Sequence, residues 1–229
     1  MDRYWLLTNT CYGTWLPGDG RGFVGHVWDH RADDDPTARR IEHDIPGTPC
    51  DEDMPGLEKA ARERMKGPPV LLALAHAEAA LGQFQETAAF RRWSIEAAAI
   101  MINHFHLVVG VMGDPKPGKI LGDFKSWATR TLSRKFGEPA SETWWTERGS
   151  KRKLPDDAAR FAGINYALFK QWNPLLTWSP QTGLNPHLLP AAALQQGERR
   201  GVSPSCLTPA RILYEVAFRS EPRLSASGD

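Results

Sequence analysis

The sequence predicts a mixed α/β fold of the α+β kind, on three observations. Residues 103–110 read as a strand, with Phe105, Leu107 and Val109, and Val111 after them, on one face of a two-residue period and His104, His106, Val108 and Gly110 on the other. Three longer stretches, 70–93, 115–137 and 156–172, repeat apolar residues at three- and four-residue steps, the period of a helix. The two patterns interleave along the chain. Its 229 residues, 41% hydrophobic and 24% charged, suffice for one sizeable domain with insertions. The net charge of +1 says nothing about partners until its distribution is known. There is no run of about 18 apolar residues, so no membrane span is expected. The start, Met1-Asp2-Arg3-Tyr4-Trp5, lacks the apolar core of a signal peptide. Cys11, Cys50 and Cys206 are odd in number and far apart, which suits neither a disulfide framework nor a zinc knuckle. A reduced, cytoplasmic setting is expected.

Residues 4–10, aromatic and β-branched, read as the first strand. The stretch 12–23, dense in Gly and Pro, reads as a structured loop. It has the look of a phosphate-cradling glycine loop, but no Lys-Ser/Thr follows it. Residues 29–66 carry eleven acidic and seven basic residues and four prolines. They read as an irregular acidic insertion with a short helix at 56–65. His26, His30 and His43 lie in or near it, as scattered surface histidines. Leu71, Leu74, Leu81, Phe84 and Phe90 mark a helix over 70–93. Residues 94–102 read as a buried strand, with Asn103 at a hairpin turn or bulge.

In the strand that follows, Phe105, Leu107, Val109 and Val111 form an unbroken apolar row fit for a core. His104 and His106 share the opposite face. Two imidazoles at i and i+2 can converge on one divalent metal, although two ligands do not complete a site. Ile120, Leu121, Phe124, Ala128, Leu132 and Phe136 then stripe a helix over 115–137, and Gly137 stops it. Residues 143–154 read as an aromatic strand, with Trp144 and Trp145, running into a basic turn with Arg148, Lys151 and Arg152. Between Gly113 and Leu154 ten basic residues face five acidic ones. That excess reads either as the solvated face of an amphipathic helix or as a phosphate track. Its candidate nucleic-acid contacts are Lys125, Arg130, Arg134, Trp144, Trp145, Arg148, Lys151 and Arg152.

A third helix opens at Asp156 or Asp157 and runs to about Trp172, with Phe161, Ile164, Leu168 and Trp172 as its expected buried stripe. Tyr166 lies about 140° from Phe161 around this helix, so it is expected on display, on a side shared with Lys170. Leu175–Trp178 reads as a short strand, Thr208-Pro209 as the start of a short helix, and the last residues as a disordered tail. The expected organisation is one domain over 1–180 and a partly disordered tail over 181–229.

These parts suggest a chemistry. A divalent ion on His104 and His106 polarises a phosphodiester. Tyr166, whose free pKa is about 10, needs that ion or Lys170 to become a phenoxide. Its attack gives a covalent phosphotyrosine that conserves the bond for rejoining.

Asn-His-Phe-His-Leu-Val-Val at 103–109 resembles the His-hydrophobic-His motif of the single-tyrosine HUH transposases of insertion-sequence type. Tyr-x-x-x-Lys-Gln-x-Asn-Pro-Leu at 166–175 resembles that family's tyrosine helix. Trp5-Leu-Leu-Thr, Tyr12-Gly-Thr-Trp-Leu-Pro-Gly-Asp, Asp123-Phe-Lys-Ser, Trp144-Trp145-Thr and Gly149-Ser-Lys-Arg are similar to members near the REP-associated tyrosine transposases. The likeness spans about residues 4 to 178. It implies a ferredoxin-like or RRM-like antiparallel sheet with helices on one face. It implies cleavage and joining of single-stranded DNA, often hairpin-containing, with Mg²⁺ or Mn²⁺, a 5′-phosphotyrosine and a free 3′-hydroxyl. A cytoplasmic, nucleoid-associated monomer or homodimer follows from it. Relatives often place a third metal ligand, Gln or Asn, about one turn after the tyrosine. Here that position is Lys170, and Gln171 is one further, pointing about 140° from Tyr166 on a regular helix. Either the helix is distorted near Trp172, or another group completes the site. The alternatives are a DNA-binding protein without chemistry and a metal-dependent phosphoesterase. The second lacks the acidic pair such enzymes place beside their histidines.

Overall fold

The computed structural model describes residues 1–21 and 54–186. The expected C-terminal helix and tail beyond 186, most of the acidic insertion, and His26, His30, His43, Cys50 and Cys206 lie outside the described residues. The described residues fall into two compact units, 1–15 with 64–186, and 16–21 with 54–63. The smaller unit carries helix α1 (Pro55–Glu63), close to the short helix expected at 56–65. None of its residues is buried, and an i, i+4 ion pair joins Glu58 to Arg62.

The larger unit holds a six-stranded, wholly antiparallel sheet. Its strands are β1 (Arg3–Thr10), β2 (Ser94–Ile100), β3 (His104–Val111), β4 (Ser150–Leu154), β5 (Leu176–Ser179) and β6 (Gly183–Pro186), in the order β4-β1-β3-β2-β5-β6. With α2 (Leu74–Arg91) and α3 (Pro117–Phe136), the first four strands make a β-α-β-β-α-β succession of the ferredoxin-like kind. A tight turn at Ile102–Asn103, closed by Met101 N–H on the His104 carbonyl at 2.8 Å, joins β2 to β3. Of the aromatic strand expected over 143–154, only 150–154 pairs as a strand. Trp145 makes a single bridge to Cys11.

The β3 row of Phe105, Leu107, Val109 and Val111 is fully buried under α2 and α3. Phe84 of α2 lies 5.0 Å from the Phe105 ring and 5.7 Å from Phe124 of α3, centroid to centroid. The α3 stripe is buried from Ile120 to Leu132. In the expected α2 stripe Leu71 and Phe90 are exposed, because the helix begins only at Leu74 and Phe90 lies on its outer side.

Helix α4 (Asp157–Phe169) is capped by the Asp156 carboxylate, which accepts from Ala159 N–H at 2.7 Å. It lies on the opposite face of the sheet from α2 and α3, so the helices do not all share one face. Its expected stripe is also inverted: Phe161 is 73% exposed and Trp172 92%, while Gly163, Tyr166 and Ala167 are buried. The reason is the sheet surface beneath. Ala97, Ala99, Val108 and Gly110 line this face and admit close approach only by small residues. A Cβ on Gly163 would meet Leu154 at 3.1 Å. Arg160 fixes the docking, with its guanidinium 2.6 Å from Glu96 of β2 and 4.3 Å over the Tyr4 ring.

Candidate active site

Strand register assembles the site. His104 pairs across the sheet with Thr10, and His106 with Thr8 on one side and Ala99 on the other. Alternation puts all of them on the α4 face. The two imidazoles lie 5.0 Å apart, nearly perpendicular. Each has its Nδ1 engaged: that of His104 with Asn103 Oδ1 at 2.6 Å, that of His106 with Thr8 Oγ1 at 2.6 Å. Such contacts fix ring orientation, as a metal-ligating histidine requires. His106 is fully buried. Burial, and then the neighbouring His104, push its pKa down to about 3, so it is a neutral donor at physiological pH. Its Nε2 is shut off from solvent and makes no hydrogen bond of normal geometry among the described residues.

Tyr166 is not on display as the sequence suggests. It is 5% exposed, with its ring edge-on to His106 at 5.1 Å. Burial raises the phenol pKa, and the Gln171 side chain partly counters this. Gln171 reaches the site because the helix stops. Lys170 is the C-cap, with φ −108° and ψ 4°, Asn173 is left-handed at φ 58°, and Pro174 cannot continue a helix. Freed from the helical path, Gln171 turns back. Its Nε2 donates to the Tyr166 carbonyl at 3.0 Å, and its carboxamide acts on both the Tyr166 phenol and the His106 ring. The expected 140° divergence between Tyr166 and Gln171 is thus removed by termination. Lys170 is exposed and is not among the groups that act on the phenol, which corrects its assignment as activator.

The basic segment divides. Trp144 and Trp145 are 5% and 4% exposed, so neither offers a ring face to a base. The Trp144 indole N–H donates to Ser133 Oγ at 2.9 Å, and Trp145 packs edge-on to Phe105 at 5.2 Å. Both belong to the core, a correction to the sequence reading. The ammonium of Lys125 is half-buried and donates to the Thr146 carbonyl and, at 2.8 Å, to that of Glu147. Burial lowers its pKa to about 8. Arg130, Arg134, Arg148 and Lys151 are exposed, and Arg152 half-exposed. Sequence reasoning missed Thr8, whose role depends on strand register, and the contact of Asn103 with the neighbouring His104 ring. It also missed the exposed Trp127 and Trp172, because the apparent stripe of α4 hid the second.

A divalent cation fits the donor chemistry, on the evidence of the orphaned Nε2 of His106. Among the described residues no group of three or more His, Cys, Asp or Glu could hold a metal. Of the expected ligands His104, His106 and Gln171, the Gln171 carboxamide acts on the His106 ring, and the two imidazoles lie 5.0 Å apart.

No family model and no curated protein matches the chain. Among solved structures, one described as a REP-associated tyrosine transposase bound to a REP hairpin is similar at a TM-score of 0.37 and 11% identity. The match covers 72% of this chain and 64% of that one, so this chain spans less than two thirds of its length. Among the described residues no helix is long and apolar enough to cross a membrane.

Proposed function

We propose that this chain is a transposase of the single-tyrosine HUH kind, which cleaves and rejoins single-stranded DNA. The observation that carries the reading is the meeting of Tyr166, His106 and Gln171 at one point, with the two rings 5.1 Å apart. His104, His106 and Gln171 would hold Mg²⁺ or Mn²⁺. When bound, the cation offsets charge on the phosphate and favours the ionised phenol.

The phenol loses its proton to solvent, and its oxygen attacks phosphorus. A phosphotyrosyl bond forms as the phosphorus–oxygen bond to the 3′ carbon's oxygen breaks. That oxygen takes a proton from water and leaves as a 3′-hydroxyl. The reverse attack by a 3′-hydroxyl restores the phosphodiester and frees Tyr166. Neutral His106 cannot act as the acid, since its proton affinity is low. It orients and binds.

The test is a denaturing gel of protein incubated with single-stranded DNA from the flanks of its own gene, with Mn²⁺ or with chelator. A covalent adduct dependent on Mn²⁺ and lost in Tyr166→Phe is expected. No adduct from the wild type overturns the reading. The burial of Tyr166 favours one second reading, DNA binding without chemistry. It predicts salt-sensitive binding, no adduct, and no effect of His104→Ala on affinity.

A further inference from the structure

We propose that the groove between α3 and residues 143–147 holds one nucleotide of the DNA strand, at a phosphate other than the one cleaved. This rests on the reading above and adds a second binding site to it. The groove has a volume of about 340 Å³ and is lined by Lys125, Ser126, Thr129, Arg130, Thr146 and Glu147, among others. That is within the range of small-ligand sites, roughly 300–1,000 Å³.

Its donors suit a phosphodiester. Two N–H groups of the Lys125 ammonium are taken by the Thr146 and Glu147 carbonyls, and the third remains for a ligand. The Arg130 guanidinium lies over the Trp127 ring at 4.6 Å, which covers its face and leaves its edge donors for a phosphate. Ser126 and Thr129 add hydroxyls. The Glu147 carboxylate offsets one of the two cations, so the groove keeps a single net positive charge, enough for one phosphate. Trp127 is 40% exposed, with Arg130 lying over its ring.

Thr146 Oγ1 lies 2.9 Å from Thr10 Oγ1, and Thr10 is the register partner of His104.

The experiment is fluorescence anisotropy of an oligonucleotide whose cleaved linkage has been mapped from the adduct. Each linkage in turn is replaced by an uncharged methylphosphonate, and binding is measured in chelator. Wild-type affinity is expected to fall about tenfold at one linkage other than the cleaved one. In Arg130→Ala, an exposed position, affinity for unmodified DNA falls by a similar factor and the dip at that linkage disappears. If the wild type forms its adduct but Arg130→Ala weakens every modified oligonucleotide by the same factor, the groove proposal falls and the strand-transfer reading stands. If no single-stranded DNA is bound or cleaved, both fall.

Discussion

Thr8→Val tests whether the candidate site is built as described. The substitution keeps the β-branched shape on β1 and removes only the hydroxyl that lies 2.6 Å from His106 Nδ1. His106 is fully buried, and its Nε2 already lacks a partner among the described residues. The variant therefore takes the hydroxyl from Nδ1 of a buried imidazole and leaves only the Gln171 carboxamide acting on the ring. Leaving a buried polar group unpaired costs about 1–3 kcal/mol. For a chain of this size each kcal/mol moves Tm by about 2–4 °C, so differential scanning calorimetry should show a fall of about 2–12 °C. Mn²⁺ affinity, read by titration calorimetry, should fall about 10- to 100-fold, since the hydroxyl orients a metal-binding ring. An unchanged Tm together with unchanged Mn²⁺ affinity would refute the role given to Thr8 and the ring orientation derived from it.

Other predictions follow from the same geometry. In the metal-free protein His106 titrates at about 3 when folded and near its ordinary 6.5 when unfolded. Only the unfolded chain takes up the proton in between, so stability falls as pH drops from about 6.5 toward 3, by at most about 1.4 kcal/mol per pH unit. Denaturant titrations across that range should show the slope, and His106→Asn should flatten it. Trp145→Ala should cost about 3–5 kcal/mol of stability, and any loss of DNA affinity should follow unfolding measured by circular dichroism. Glu96→Gln weakens the ion pair that fixes α4. Adduct formation should fall severalfold while Tm drops by only a few degrees, measured by gel and calorimetry respectively.

Strands β1, β2, β3 and β5 and the two helices over the core were legible because single residues reported them, whereas β6 lies in the stretch expected as tail. Phe105, Leu107, Val109 and Val111 admit one buried face, and Ile120 to Leu132 admit one stripe. The histidine pair was legible for the same reason. Helix α4 was misread because its apolar residues outnumber its small ones, whereas docking selects what fits the Ala97, Ala99 and Val108 surface. Periodicity finds the bulky side of a helix, and here Phe161 and Trp172 face outward while Gly163, Tyr166 and Ala167 face in. Gln171 was placed on a helix that ends two residues before it. Trp144 and Trp145 look, in sequence, like a stacking pair beside a basic turn. Only the three-dimensional path of 143–147 carries them into the core.

The measurement that bears most directly on a shared site for Tyr166 and the histidines is mass spectrometry of the digested protein–DNA adduct. The chain has four tyrosines. The nucleotide should sit on the tryptic peptide 161–170 and on its Tyr166, and His106→Ala should abolish it without unfolding the protein. A nucleotide on Tyr4, Tyr12 or Tyr214, or an adduct undiminished by His106→Ala, would contradict the account.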